Sequence, residues 1–443
     1  VTVSGRFVAL IAIGVVPLVL FGADSGTAML ILAGWVALAL AAGAIDLALA
    51  ASPRRVAIDR RVPGRVRMGA DALSELYVTN TGKRMLRGVV RDAWEPSAGA
   101  SPTRSSVSIP PGERRRVTTT LVPVRRGERR VEQVTVRAWG PLRLWARQAT
   151  LAAPGRIRVL PAFNARKHLP SRLARLRELD GMTSVMLRGQ GTEFDSLREY
   201  VRGDDVRSID WRATARRHDP SGGAGQRVMV RTWRPERDRR VIILIDTGRT
   251  AAARVDDEPR IDTAYESALL LEALATRAGD RVDVMAYDRR VRGRVQGASG
   301  PELLARTVDM MAGIDPELIE MDWAAVPAQV SSLTSQRALV VLLTSIDAPG
   351  ASHGLLSVLP QLTRKHTVVV ASVTDPESLR ATRQRDDRAT VYRAAAAERA
   401  LLDIARISAA IRRLGADVVT GAPADLPPAL SDHYLALKAA GRL

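Results

Sequence analysis

Hydrophobic and polar positions change rhythm three times along the chain. Phe7 to Phe21 (FVALIAIGVVPLVLF) is an unbroken apolar run; a polar turn, GADSGT, follows, and a second apolar run extends from Ala28 to about Ala51. The second run is long enough for a membrane-crossing helix, with Asp46 near its end at headgroup level; the first is shorter. A cleaved signal peptide is the competing assignment. Only Arg6 precedes the first run, no small-x-small site follows Phe21, and the second run comes at once. The pattern therefore predicts a transmembrane helical hairpin over residues 1–53, with helices at about 7–21 and 28–51. Arg54, Arg55, Arg60, Arg61, Arg65 and Arg67 crowd just after it. With Arg6 at the other end, the positive-inside rule predicts a multi-pass protein of the cell membrane with the bulk of the chain in the cytoplasm.

From residue 54 to 163 the rhythm becomes short and alternating, with turn signals between. ELYVTN runs into NTGK and LRGVVRDAW, and later RRGERRVEQVTVRAW places Val131, Val134 and Val136 among polar residues. This is the grammar of half-buried strands and predicts a β-sandwich-like, immunoglobulin-like spacer. Residues 164–240 break the alternation. After Arg240, continuous apolar runs (VIILID, RALVVLLTSID, TVVVASVTD) are separated by helical patterns. Runs apolar on both faces imply a parallel sheet covered by helices on either side, a doubly wound domain over 241–443. The fold class is therefore α/β. Such sheets bind ligands at the carboxyl ends of their strands, where Asp246, Asp288, Asp347 and Asp375 fall.

Composition changes this picture little. The 443 residues contain no cysteine, which excludes disulfides, thiolate metal sites and thiol nucleophiles. The net charge of +19 comes almost entirely from arginine, with only four lysines, and aromatic residues are 4% of the chain. Nucleic-acid surfaces usually interleave basic residues with stacking aromatics, so no specific nucleic acid is expected. An Arg-rich surface binding nucleic acid or anionic lipid stays as the weakest alternative.

Enzyme motifs are mostly missing. There is no GxxxxGK loop, GxSxG elbow or HExxH, and the five histidines show no ligand spacing. The strongest local signal is DTGRT, Asp246 to Thr250, at the end of a predicted strand. It resembles the metal-ion-dependent adhesion motif, DxSxS, of von Willebrand factor type A domains, whose carboxylate and hydroxyls suit Mg²⁺. Gly248 stands at the first serine and Thr250 at the second. Asp246, Thr250 and Asp347 are thus the candidate ligands of a degenerate metal-ion-dependent adhesion site, with Thr344 and Ser345 beside them. The competing role for Asp246 is that of a local cap with no metal and no cofactor.

The stretch GTEFDSLREYVRGDDVRSIDWRATAR, Gly191 to Arg216, carries six acids against five arginines. As an active site it would offer Glu193, Glu199, Asp204, Asp205 and Asp210. Each acid, however, has an arginine within a few residues, which favours the ionised, unreactive form. A salt-bridged latch with Ile209, Tyr200 and Trp211 as packing anchors is the expectation. The same stretch, followed by an apolar strand ending in Asp246, resembles the domain of unknown function 58 family. The pattern is met by Gly191, Glu193, Phe194, Leu197, Arg198, Glu199, Tyr200, Gly203, Asp204, Asp205, Arg207, Ile209, Asp210, Trp211, Ala215 and Arg216. WGPLRLW stands where that family usually has a DP-x-G turn. The resemblance implies a membrane-anchored, type A-like protein associated with MoxR-type AAA+ ATPases. The expectation is a non-enzymatic adaptor or scaffold whose cytoplasmic type A-like domain makes a protein-protein interaction, with a MoxR-type ATPase as partner. The alternative is a membrane-bound, metal-dependent hydrolase using the acids of residues 193–210.

Overall fold

The computed structural model describes residues 1–186, 193–201, 206–216, 228–234, 239–347 and 349–443. Contacts divide the chain into two compact units, one of residues 1–162 with 311–313 and one of the rest.

The first unit begins with strand β1 (Thr2–Val3), then helices α1 (Gly5–Ile13), α2 (Val15–Phe21) and α3 (Ser25–Leu49). At 25 residues, α3 is long and apolar enough to cross a membrane, and its most apolar window is only 11% buried. The residues of α1 and α2 form a shorter apolar stretch, Gly5–Phe21. Asp24 caps α3, accepting from the amides of Gly26 and Thr27 at 2.9 Å.

Nine strands follow: β2 (Val56–Arg61), β3 (Arg65–Arg67), β4 (Ala72–Asn80), β5 (Leu86–Asp92), β6 (Ala100–Ser101), β7 (Arg104–Ile109), β8 (Arg114–Leu121), β9 (Gly127–Trp139) and β10 (Trp145–Leu160). They build one sheet in the order β1-β10-β9-β5-β7, with β3 also on β10, and a second in the order β2-β4-β8-β6. Val56, Leu76, Val78 and Val117 from the second sheet share a core with Leu86, Ile109, Val134, Val136 and Ala153 from the first. The alternation read from the sequence is therefore that of two sheets packed face to face.

Inside this sandwich Arg60 and Asp92 form a bidentate ion pair (2.7 and 3.0 Å) with side chains 3% and 2% exposed. Arg60 also donates to the Ala153 carbonyl and Ser74 hydroxyl, and the Trp94 indole N–H donates to Asp92. Buried charge is tolerable only when its hydrogen bonds are made in this way.

The second unit carries α4 (Leu169–Met186), an antiparallel pair β11 (Glu193–Glu199) and β12 (Met229–Arg234), and α5 (Trp211–Arg216) between them. The large sheet comprises β13 (Arg240–Asp246), β16 (Arg281–Tyr287), β17 (Val291–Val295), β18 (Leu339–Leu343), β19 (Thr367–Val373) and β20 (Asp417–Gly421); the small hairpin β14 (Arg254–Val255) and β15 (Glu258–Pro259) stands apart. Its order is β17-β16-β13-β18-β19-β20, parallel except for edge strand β17. The helices are α6 (Arg260–Arg277), α7 (Gly300–Ala312), α8 (Val326–Leu333), α9 (Pro349–Thr363), α10 (Pro376–Ala381), α11 (Arg388–Arg413) and α12 (Leu426–Ala439). Ile242 and Leu244 of β13 pack with α8, α9 and α11. Val241, Ile243 and Ile245, which point the other way, are equally buried, so both faces of the sheet are covered.

Two outcomes test this packing. Arg60→Met leaves Asp92 uncompensated and is expected to cost about 3–5 kcal/mol, read as a fall in melting temperature of the detergent-solubilised chain. Within α6, Glu272 is 1% exposed, and burial pushes its carboxyl up from 4.5 to about 8. The folded state therefore holds this proton more tightly than the unfolded state. Its contribution to stability is complete below pH 4.5 and is lost as pH rises through about 8. Glu272→Gln should remove that slope from the difference between wild-type and variant melting curves.

Candidate functional site

The polar side chains of the large sheet gather mainly where its strands end, with Asp283 inside β16 and Ser372 inside β19 as buried exceptions. Asp246, the last residue of β13, is 3% exposed. Its Oδ1 accepts from the Gly248 amide at 2.8 Å, and its Oδ2 accepts from the hydroxyls of Thr344 (2.7 Å) and Thr250 (3.1 Å). Burial pushes its carboxyl up from the ordinary value, and these three donors work against that shift. Thr344 and Ser345 follow directly from the end of β18, so the parallel register of β13 and β18 is what brings them to Asp246.

The neighbouring acid has a different partner. Asp347 is held by the Arg260 guanidinium and the Ser345 hydroxyl, and Arg260 Nη1 donates to Ser345 Oγ at 2.6 Å. Burial works against charge on Asp347, but the bonds from Arg260 and Ser345 outweigh it and its carboxyl stays below the usual range. Arg260 is the first residue of α6 and only 14% of its side chain is exposed. Asp246, Thr250, Arg260, Thr344 and Ser345 border a small cleft open to solvent.

The donor set does not fit a divalent cation. Asp246 already accepts three hydrogen bonds, and Asp347 is neutralised by arginine. Among the described residues, no three His, Asp or Glu side chains are grouped to hold a metal. Gly248 is built in rather than incidental: a Cβ there would lie 2.8 Å from the Ile319 carbonyl oxygen. The Arg249 amide donates to that same carbonyl at 2.8 Å, which fixes the approach. The segment 314–323 that packs here carries no serine or threonine to supply a further oxygen.

The remaining strand-end acids are structural. Asp288, fully buried, accepts from the Thr247 hydroxyl (2.9 Å), the amides of Arg289 and Arg290, and Arg292 Nη1 at 3.0 Å. Asp375 caps α10 through the Glu377 amide at 2.8 Å.

The acidic stretch lies elsewhere in this unit. Asp210 Oδ1 caps α5 through the amides of Arg212 and Ala213, both at 3.0 Å, and its Oδ2 pairs with Arg231 at 2.7 Å. The Ala213 amide and Arg231 keep its carboxyl below the ordinary value. Thr214, buried, accepts from the Met229 amide at 3.0 Å, and the Tyr200 amide donates to the Val228 carbonyl. Arg198 lies in β11 and donates to the Glu199 carbonyl at 3.2 Å, and Arg207 sits in a short 3-10 turn. Glu193 and Phe194 belong to β11 and Arg216 ends α5, whereas Gly191, Gly203, Asp204 and Asp205 fall outside the described residues. The packing-anchor expectation fails for Trp211, which is 66% exposed. Asp210 starts α5 one residue earlier, and the buried position of that short helix is Thr214 rather than the indole.

Arg260 escaped the sequence reading. Its signal was an arginine immediately after Pro259, in the first turn of a helix, where the macrodipole disfavours a cation. Titration of the detergent-solubilised chain with Mg²⁺ or Mn²⁺ should leave its melting temperature unchanged. Gly248→Ser should lower that temperature without creating metal dependence, because the added side chain meets the Ile319 carbonyl.

Among solved structures, the chain is similar over 24% of its length to the CARDB domain of the PF1109 protein of Pyrococcus furiosus, at 21% identity, TM-score 0.19 and 91% coverage of that chain. It is similar over 46% of its length to proximal thread matrix protein 1 of the mussel byssus, whose structure has a zinc-occupied MIDAS motif, at 12% identity and TM-score 0.26. It spans 46% of that chain, and only 16% of a Listeria innocua β-glucosidase to which it is also similar (15% identity, 24% of this chain, TM-score 0.17). No curated protein matches the chain. The model of one family, described as protein of unknown function DUF58, matches residues 196–410, and this match supports the DUF58 family for this chain.

Proposed function

We propose that the protein is a membrane-anchored, non-enzymatic adaptor whose type A-like second unit docks a protein partner at the carboxyl ends of its strands. In this reading both apolar stretches, Gly5–Phe21 and Ser25–Leu49, lie in the bilayer and the rest of the chain is cytoplasmic. The single observation that carries the docking site is Arg260. Where a type A site would place a metal to receive an acidic residue of the partner, this chain places a guanidinium bonded to Ser345 and Asp347 beside an open cleft. Arginine keeps its charge at any physiological pH and meets a carboxylate through paired donors, so it can receive an acidic side chain without a cation. Asp347 is the internal stand-in for that acid, 31% exposed and therefore displaceable. A MoxR-type AAA+ ATPase is the partner that the family resemblance implies.

The test is co-purification of the detergent-solubilised full chain with a MoxR-type ATPase encoded beside it. Retention should survive chelation of divalent cations in the absence of nucleotide and fall at least tenfold in Arg260→Ala. No association with or without Mg²⁺ and nucleotide would remove the adaptor reading, and association lost on chelation would restore a metal bridge.

A further inference from the structure

The end of α3 is not a free helix terminus. Asp46, 1% exposed, accepts from the backbone amides of Leu142 (2.7 Å), Leu144 (2.7 Å) and Trp145 (3.2 Å), which clamps the helix onto the turn between β9 and β10. A Cβ at Gly140 would overlap Asp46, so the turn approaches the helix as closely as backbone allows. The guanidinium of Arg147 donates to the Leu47 carbonyl at 3.0 Å and that of Arg84 to the Ala48 carbonyl, so two cations satisfy the last turn of α3. The start of α1 comes to the same place. The Ser4 amide donates to the Leu144 carbonyl at 3.0 Å, and the Phe7 ring packs edge-on to Trp145 at 5.3 Å.

Four separate segments therefore bring basic side chains to one level at the base of the apolar helices. Arg6 opens α1; Arg54 and Arg55 follow α3; Lys83 lies in the turn after β4; Arg143 lies in the turn clamped by Asp46. All five are exposed, and none has an acidic partner among the described residues. The Arg55 carbonyl accepts from the Thr81 amide and hydroxyl (3.1 and 2.9 Å), joining the second segment to the third. Buried Asn80 shapes the Lys83 turn by donating to the Arg84 and Ile109 carbonyls. Glu113, which reaches this turn through its backbone, is paired with Arg115 at 2.8 Å. Arg143 has φ 58°, a left-handed conformation that ordinarily favours glycine, yet the position carries a long cation. Met85 (40% exposed) and Leu142 (56%) interleave apolar side chains with these charges. The opposite end of the apolar helices, around Asp24, has no Lys or Arg at all.

We propose that Arg6, Arg54, Arg55, Lys83 and Arg143 form a collar that binds the headgroups of anionic phospholipids, with Leu142 and Met85 seated at the boundary between headgroups and acyl chains. The collar rests on the membrane-anchored part of the proposed function and is independent of its docking site. Charge complementarity and continuity with the apolar helix decide the ligand. A basic ring at the end of a membrane-length helix meets phosphates in the plane where that helix leaves the bilayer, and interfacial apolar side chains suit that same depth.

The full chain is reconstituted by detergent removal into vesicles of phosphatidylcholine alone or with phosphatidylglycerol added. Flotation reads anchoring and the melting temperature reads headgroup binding. The expected result is flotation with both vesicles and a melting temperature several degrees higher with phosphatidylglycerol. The substitution set Arg54→Gln, Arg55→Gln, Lys83→Gln and Arg143→Gln should abolish that increment and leave the phosphatidylcholine value unchanged. Failure to float with either vesicle would overturn the anchor and the collar together. Flotation with no phosphatidylglycerol increment, or an increment that the variant keeps, would overturn the collar alone. An equal increment from a single-stranded oligonucleotide added to phosphatidylcholine vesicles would also overturn it, because the surface would then answer to any polyanion.

Discussion

A parallel sheet covered on both faces has little room for polar side chains along its strands, so the chemistry of the second unit gathers where those strands run out. The four central strands β16, β13, β18 and β19 present mostly apolar residues to helices on either side. The first polar positions available are then Asp246 after Ile245, and Thr344 and Ser345 after Leu343. Parallel pairing of β13 with β18 brings these ends level, so residues 98 positions apart meet at hydrogen-bond distance. Once Asp246 is buried there, its charge must be balanced locally. The Gly248 amide and two threonine hydroxyls do so.

The same economy of charge recurs through the molecule. Arg60 and Asp92 are enclosed in the sandwich and bonded to each other through two hydrogen bonds, and Asp288 is surrounded by amides, a hydroxyl and Arg292. Among the described residues no cation pairs with Asp46; three backbone amides bond to it, which ties a membrane-length helix to the sandwich. At the strand ends the cation is Arg260. A guanidinium is larger than Mg²⁺, directional and covalently held, and here it pairs with Asp347 and Ser345. Gly248 belongs to this arrangement, because the Ile319 carbonyl occupies the space a serine would fill.

Much of this was legible beforehand because it rests on periodicity. Two-residue alternation in β4 and β9 and continuous apolar runs in β13, β18 and β19 are direct consequences of one buried face or two. Edge strand β17 shows as the weak, arginine-bearing segment after Asp288. Strand-end acids could be placed by chain position, but not sorted into roles. Asp288 and Asp375 read like Asp246 in sequence, and only their donors separate a turn organiser and a helix cap from the carboxylate at the cleft. Trp211 shows the converse, since an aromatic residue inside a specific motif suggested burial and the helix cap at Asp210 left the ring exposed.

What the sequence alone determined is therefore local and periodic: an apolar span, a two-sheet pattern, a parallel-sheet pattern and a long family signature. Tertiary structure decided which charges meet. Arg260 and Asp347 are 87 positions apart, Arg60 and Asp92 are 32, and Asp46 and Leu144 are 98. Strand register and helix placement bring each pair together, and no pattern within a short window encodes them. Electrostatic pairing depends on distance in space and on exclusion of water, and both exist only after the chain has folded.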